Sequence, residues 1–288
     1  MKKKWIRKFL KITGWIFLVL IIILSYLMYR FTSPNSDEEI IDKFKGESYH
    51  PHITYKNFKG YKVRVVQMQE KIDTTLPIIF FVHGSPGSSM DFQRYMKNES
   101  LNKMANIISY DRVGYGQLHT GEVLNSLEEE VDLLHHLMKG MDTKKVILTG
   151  YSYGGTVIMA STKSYKKKIA LAAAVRGDLE PMFWAINLYK WPLTRPLVPK
   201  VFRGATIEKL RHVKELKAYE HLWNVSPSQV LSIHGKHDFI VPFQNSLFLK
   251  SLFDATKFSL IPLEEGGHSL IWSDFDLINT ELLKSVKE

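Results

Sequence analysis

The hydrophobic pattern divides the chain into three regimes. Residues 12–29 form one uncharged run, interrupted only by Thr13, Gly14, Ser25 and tyrosine hydroxyls. Eighteen residues in a helix span about 27 Å at ~1.5 Å per residue, close to the ~30 Å hydrocarbon thickness of a bilayer. Trp15, Tyr26 and Tyr29 suit interfacial positions. From residue 50 onward the apolar runs are short and alternate with amphipathic stretches. Two antiparallel strands are predicted, His52–Phe58 and Tyr61–Met68, turning at Lys59-Gly60. Further strands are expected at Pro77–Val82, Asn106–Tyr110, Val146–Thr149, Lys168–Val175, Val230–Gly235 and Lys257–Pro262. Helices are expected over Asp91–Met104, Leu127–Met138 and Gly155–Ala160. Strands alternating with helices imply a mainly parallel sheet with helices on both faces. The third regime is residues 176–226, where the alternation stops and aromatic and proline residues concentrate: Phe183, Trp184, Trp191, Pro196, Phe202 and Trp223 among them.

Charge sharpens the reading of the amino terminus. Lys2, Lys3, Lys4, Arg7, Lys8 and Lys11 precede the apolar run, and no acidic residue occurs before Asp37. Such a cluster is retained on the cytoplasmic side, which sets the rest of the chain outside the inner face. A cleaved signal peptide has a shorter apolar core and a small-x-small site, whereas Tyr26-Leu27-Met28-Tyr29-Arg30 is bulky. Residues 1–30 are therefore expected to be an uncleaved single-pass anchor, residues 31–48 a linker and residues 49–288 the folded domain. Seven of the 39 basic residues lie before residue 31, so the formal charge of +10 falls to about +3 for the remainder. The basic balance reflects topology and contact with anionic lipid, not nucleic acid. The chain has no cysteine, compatible with an extracytoplasmic protein built without disulfides.

The chemistry concentrates at strand ends. Gly150-Tyr151-Ser152-Tyr153-Gly154 follows an apolar β-branched strand and precedes a helix, the context of a nucleophile elbow. A serine hydroxyl needs a base to take its proton and a third group to orient that base. Asp238 follows the strand Val230–Gly235, and His268 follows the strand ending at Pro262. Upstream, Val82 runs into His83-Gly84-Ser85-Pro86-Gly87-Ser88. The backbone N–H groups of Ser85 and Tyr153 are the expected oxyanion donors. Asp178, past another strand, is the alternative acid. His83 is expected to order its loop, Asp111 and Arg112 to brace the next one, and His237 to be a solvated neighbour of Asp238. Asp132, His135 and His136 have no third ligand at suitable spacing, and no phosphate-binding Gly-Lys-Ser/Thr loop is present. No metal or organic cofactor is expected.

These pieces resemble the α/β-hydrolase fold family: His83-Gly84-Ser85-Pro86-Gly87, Asp111-Arg112-Val113-Gly114-Tyr115-Gly116, Gly150-Tyr151-Ser152-Tyr153-Gly154-Gly155, His234-Gly235-Lys236-His237-Asp238 and Gly267-His268, in the family's order from about residue 50 to the C-terminus. The resemblance implies an α/β-hydrolase fold with a short helical lid at 176–226 and a Ser152–His268–Asp238 triad. Serine at the elbow sets the chain apart from the haloalkane dehalogenase and epoxide hydrolase branches, which carry aspartate there. A carboxylic ester, including a lipid-like one, is the first substrate class expected, with the lid's aromatic residues lining an apolar pocket. An amide is second, since the His-Gly-Ser-Pro-Gly loop resembles that of proline iminopeptidase-like enzymes, although no acidic residues for a free amine stand out. Carbon–carbon bond hydrolysis, acyl transfer and a non-catalytic binding role are the other activities of the fold.

Overall fold

The computed structural model describes residues 2–288. The polar turn Lys59-Gly60, with φ of 47° and 87°, joins β1 (His52–Phe58) to β2 (Tyr61–Gln67). Two consecutive positive φ angles give the hairpin the turn that matches strand twist. Beyond it lie β3 (Ile78–Val82), β4 (Asn106–Tyr110), β5 (Val146–Tyr151), β6 (Lys167–Leu171), β7 (Val230–Gly235) and β8 (Phe258–Leu263). They form one sheet in the order β1-β2-β4-β3-β5-β6-β7-β8. The β1–β2 and β2–β4 pairs are antiparallel; every later pair is parallel.

The helices are α1 (Lys2–Thr32), α2 (Asp37–Lys43), α3 (Gln93–Met96), α4 (Glu99–Met104), α5 (Leu127–Leu137), α6 (Tyr153–Ala160), α7 (Ile186–Lys190), α8 (Lys200–Tyr219), α9 (Gln244–Leu252), α10 (Leu270–Ser273) and α11 (Phe275–Lys287). Of these, α5 and α6 cover one face of the sheet and α3, α4 and α11 the other. Successive side chains of a strand point to opposite faces. Accordingly Ile78, Phe80 and Val82 of β3 join the core under α5 and α6, while Ile79 and Phe81 join the core under α3, α4 and α11. A strand buried on both faces must be apolar throughout, and β3 is.

Three expected boundaries shift. Residues 31–48, expected as a linker, carry α2. Ser36 and Glu39 form a capping box, and Ile40 and Phe44 are fully buried in the core. The expected helix 91–104 breaks at Asn98, whose side chain accepts the Leu101 N–H (3.0 Å) and starts α4 afresh. The expected strand 168–175 leaves the sheet after Leu171 because Ala172 takes a φ of 47°. Residues 173–175 then pack beneath the elbow as buried loop.

The amino-terminal helix α1 is long and apolar enough over Lys4–Arg30 to cross a membrane, and none of its most apolar window is buried in the protein.

Candidate active site

The parallel strands place their carboxyl ends along one edge, the side on which open α/β sheets bind ligands. β5 ends in the elbow. Ser152 sits at φ 54°, ψ −120°, outside the regions an L-residue ordinarily adopts. Its N–H bonds Leu171 O across the sheet (2.8 Å), which holds the strained residue in place. The glycines here are demanded by contact. A Cβ on Gly150 would lie 2.3 Å from Gly154 O, and one on Gly154 would lie 2.1 Å from Val82 O. Either side chain would push the turn off the sheet.

β7 and β8 deliver the remaining pieces. His268 Nε2 lies 3.1 Å from Ser152 Oγ, and His268 Nδ1 lies 2.7 Å from Asp238 Oδ2. Asp238 Oδ1 accepts the N–H groups of Ile240 (2.9 Å) and Val241 (2.8 Å), so its loop wraps around the carboxylate. Burial pushes the Asp238 carboxyl up, but hydrogen bonds from His234 and His268 and the charge of His268 outweigh it and hold it well below the usual carboxylate range. The Nε2 of His234 lies 3.4 Å from Asp238 Oδ2. Its ring is fixed by Ser246 Oγ (2.6 Å) and Val241 O (2.8 Å). An acceptor at Nδ1 of His268 requires Nδ1–H, which leaves Nε2 as the lone pair facing Ser152. Tyr151, at the end of β5, donates its hydroxyl to His268 O (2.8 Å) and packs its ring against the imidazole.

The two expected oxyanion donors flank the same point. Tyr153 is the first residue of α6, where an N–H has no intrahelical acceptor. Gly84 abuts Ser152, with 3.1 Å between its virtual Cβ and Ser152 Cβ, so Ser85 follows directly at the pocket. Ser85 and Tyr153 line one cavity with Ser152 and His268. The loop before Ser85 is stiff. His83, fully buried, accepts the Arg112 N–H at Nε2 (2.8 Å) and faces Gly84 O with Nδ1 (2.8 Å). Burial and the neighbouring Arg112 charge keep that ring neutral, far below its ordinary pKa.

The other candidates lie apart. Asp178 is half-exposed and pairs with Arg176 at the surface, Nε to Oδ1 2.7 Å. His237 is exposed near Glu265. Asp111 bonds Arg64 (2.7 Å) and the Ser89 N–H (2.8 Å). His135 bonds Ser161 (2.8 Å), and burial with the Lys163 charge drops its pKa to about 4. Among the described residues, no group of three or more His, Asp or Glu is placed to hold a metal ion.

Sequence reasoning missed the polar side of the lid. Glu208 on α8 is buried, pairs with Arg112, and accepts the Tyr115 hydroxyl (2.6 Å). Tyr115 in turn bonds Ser85 Oγ (2.7 Å), so lid and oxyanion loop are joined through two side chains. Arg112 also reaches Glu130 (2.8 Å) and Gly84 O (3.2 Å). Burial disfavours the guanidinium, but Glu130 and Glu208 together hold its pKa well above normal. Glu180 pairs with Lys209 and with His212 (3.3 Å). The signal was present: Glu208, Arg211, His212 and Glu215 recur at i, i+3, i+4, i+7, one face of a helix.

The cavity above Ser152 has a volume of about 710 Å³ and mostly apolar walls. The lid aromatics divide. Phe183 and Phe202 line the cavity. Trp223 is fully buried in the core and donates to Val175 O (3.0 Å). Trp184 and Trp191 are exposed and meet edge to face on the outside.

An alpha/beta hydrolase family model matches residues 79–279. This chain belongs to the alpha/beta hydrolase family. It is 27% identical over 216 residues to the human serine hydrolase BPHL, an alignment covering 67% of this chain and 73% of that protein. The chain spans about two thirds of the length of the curated relatives it matches. Among solved structures, an alpha/beta hydrolase fold protein from Burkholderia ambifaria superposes with a TM-score of 0.65 at 17% identity, over 82% of this chain and all of that one. A bacterial membrane phospholipase A superposes with a TM-score of 0.61 at 12% identity, over the full length of both chains. At these identities the structural likeness speaks to the fold.

Proposed function

We propose that this chain is a membrane-anchored serine hydrolase that cleaves carboxylic esters through Ser152, His268 and Asp238. The observation that carries the reading is the hydrogen-bonded chain Ser152–His268–Asp238 at the floor of an apolar cavity. Ser152 Oγ attacks the ester carbonyl while His268 Nε2 takes its proton. Asp238 keeps the Nδ1–H tautomer and balances the imidazolium. The N–H groups of Ser85 and Tyr153 receive the oxyanion. His268 returns the proton to the departing alkoxide, leaving an acyl-Ser152. Water then attacks the acyl carbon, giving its proton to His268, and the carboxylic acid departs as Ser152 is restored. No step needs a metal or an organic cofactor.

The walls favour an ester over an aminoacyl amide. Glu180 and Glu208 face the cavity, and each already has its charge compensated by a cationic partner, Lys209 and Arg112, although Glu180 Oε1 keeps an open hydrogen-bonding position. α1 supports anchoring, with its basic end cytoplasmic and the catalytic domain extracytoplasmic. Fluorophosphonate labelling of the full-length protein, followed by p-nitrophenyl esters and aminoacyl-anilides, tests the reading. Labelling at Ser152 and ester turnover are expected. Anilide cleavage without ester turnover would replace the ester by an amide, and an unlabelled, inactive protein would remove the hydrolase reading.

A further inference from the structure

The wall of the catalytic cavity is not made by the hydrolase domain alone. Ile21, Leu24, Ser25 and Met28 of α1 line it, together with Ser152 and His268. Their spacing is i, i+3, i+4, i+7, so they form one face of α1. Ile21 and Ser25 are the partly covered positions in that stretch of an otherwise exposed helix. Ser25, a small polar break in the apolar run, sits on this face.

Depth follows from the helix rise. Ile21 precedes Arg30 by nine residues, about 14 Å along the axis at ~1.5 Å each. Half of a bilayer's hydrocarbon is about 15 Å. With Arg30 held at the polar boundary, Ile21 to Met28 span the leaflet next to the catalytic domain. The domain's own contribution to this side is apolar and exposed: Phe183, Leu197, Ile240 and Trp272 line the cavity and also face outward. An apolar rim continuous with a membrane-spanning helix lies against acyl chains, not water.

We infer that the cavity opens sideways into that leaflet, and that the substrate is a fatty-acyl ester drawn from the membrane with its chain sliding between α1 and the lid. This deepens the ester-hydrolase reading and rests on it. On this view α1 is a wall of the acyl-chain channel as well as a tether. An acyl chain that moves from bilayer to apolar channel never meets water, so entry carries no hydrophobic penalty. The gap between α1 and the lid then selects by chain shape.

The test uses full-length protein reconstituted in phosphatidylglycerol vesicles containing dioleoylglycerol. Release of oleate is compared with hydrolysis of soluble p-nitrophenyl butyrate. Leu24→Trp and Ser25→Trp fill the proposed channel wall; Val19→Trp and Ile23→Trp add the same bulk on the opposite face of α1. Wild type is expected to release oleate. The wall variants should lower the ratio of oleate release to butyrate hydrolysis about tenfold or more, and the opposite-face variants less than about twofold, a discrimination within reach of steric exclusion at an apolar site. Leu24→Ala, which widens the channel, should instead shift chain preference toward bulkier acyl groups. Membrane insertion of every variant is verified by resistance to carbonate extraction. Butyrate hydrolysis without oleate release, or equal effects from both faces of α1, would overturn the channel while leaving the ester hydrolase intact. Loss of fluorophosphonate labelling and butyrate hydrolysis in the wild type would overturn both.

Discussion

The floor and the roof of the cavity are held by different forces. The floor is backbone work: Ser152, Asp238 and His268 stand past the ends of β5, β7 and β8, and the ladder hydrogen bonds that join these strands, through β6 between β5 and β7, set their spacing. Each is also gripped locally, Ser152 by Leu171 O, Asp238 by two N–H groups of its own loop and His268 by the Tyr151 hydroxyl on its carbonyl. The roof is side-chain work. α8 is tied to the floor through Glu208, Arg112 and Tyr115, with a buried charge in each link. A buried ion network stabilises little over an apolar core, but breaking one partner is costly. Damage to the floor should therefore abolish chemistry with the fold intact, while damage to the roof should lower stability and catalysis together.

The largest effect expected is at Ser152. Ser152→Ala should remove fluorophosphonate labelling and cut turnover by about 10⁴ to 10⁶ with an unchanged melting temperature. Residual labelling of the folded variant would move the nucleophile elsewhere. Asp238→Asn should follow, with a loss of about 10⁴, because an amide neither selects the Nδ1–H tautomer nor balances the imidazolium. Asp178→Asn, on the surface, should leave turnover within about twofold. Asp238 also makes a pH prediction. Its folded pKa is depressed, so the unfolded chain binds the proton first as pH falls. The stability it contributes is complete above the ordinary carboxylate pKa of about 3.9 and fades below it. Acid unfolding curves should be less steep for Asp238→Asn than for wild type in that range; parallel curves would deny the coupling.

Glu208→Gln probes the roof. It leaves Arg112 one counter-charge short in a site that water does not reach. Loss of a buried partner costs about 3–5 kcal/mol when the charge is left uncompensated, and the Glu130 pairing makes the lower end the expectation here. The amide keeps one acceptor oxygen, which the Arg112 guanidinium claims, so the NH2 group faces Tyr115 and the acceptor that fixes it against Ser85 is lost; kcat should also drop about tenfold to a hundredfold, as for a misplaced catalytic frame. A drop in melting temperature with unchanged kcat would separate roof from oxyanion loop.

The same contrast explains what could be read from the sequence. The floor was legible because each part is a local motif: strand, glycine, reactive residue, in fixed succession. Asp238 and His268 lie 30 residues apart, yet each announces itself by the strand before it, and the structure brings both to Ser152. The roof was illegible for the opposite reason. Glu208 matters through Arg112 and Tyr115, some ninety residues away, and nothing near it in sequence names those partners. α2 is a similar case. Ser36-x-x-Glu39 is a capping signature, but seven polar-rich residues suggest a linker until Ile40 and Phe44 find the sheet's far core. At Ala172 a positive φ on a non-glycine residue ended a strand that apolar composition alone would have continued to Val175.

The smallest effects expected lie among the lid aromatics, and they test whether composition or position decides. Phe183 and Phe202 face the cavity, whereas Trp184 and Trp191 face outward, though all four belong to one aromatic-rich segment. Each methylene of an acyl chain buried against the walls is worth about 0.8 kcal/mol at best, so kcat/KM should rise up to about fourfold per carbon until the cavity is full. Phe202→Ala removes wall, adds volume, and weakens the grip on each carbon that passed over the ring. The slope of log kcat/KM against chain length, from acetyl through butyryl to octanoyl esters, should flatten over the first carbons and extend to longer chains. Trp184→Ala should leave that slope as it is, because its ring contributes no wall. Measured on the full-length protein, a flat wild-type profile from acetyl onward would contradict an apolar acyl site altogether. Equal flattening by Phe202→Ala and Trp184→Ala would mean that the lid acts on selectivity as a flexible mass rather than through the two rings that line the cavity.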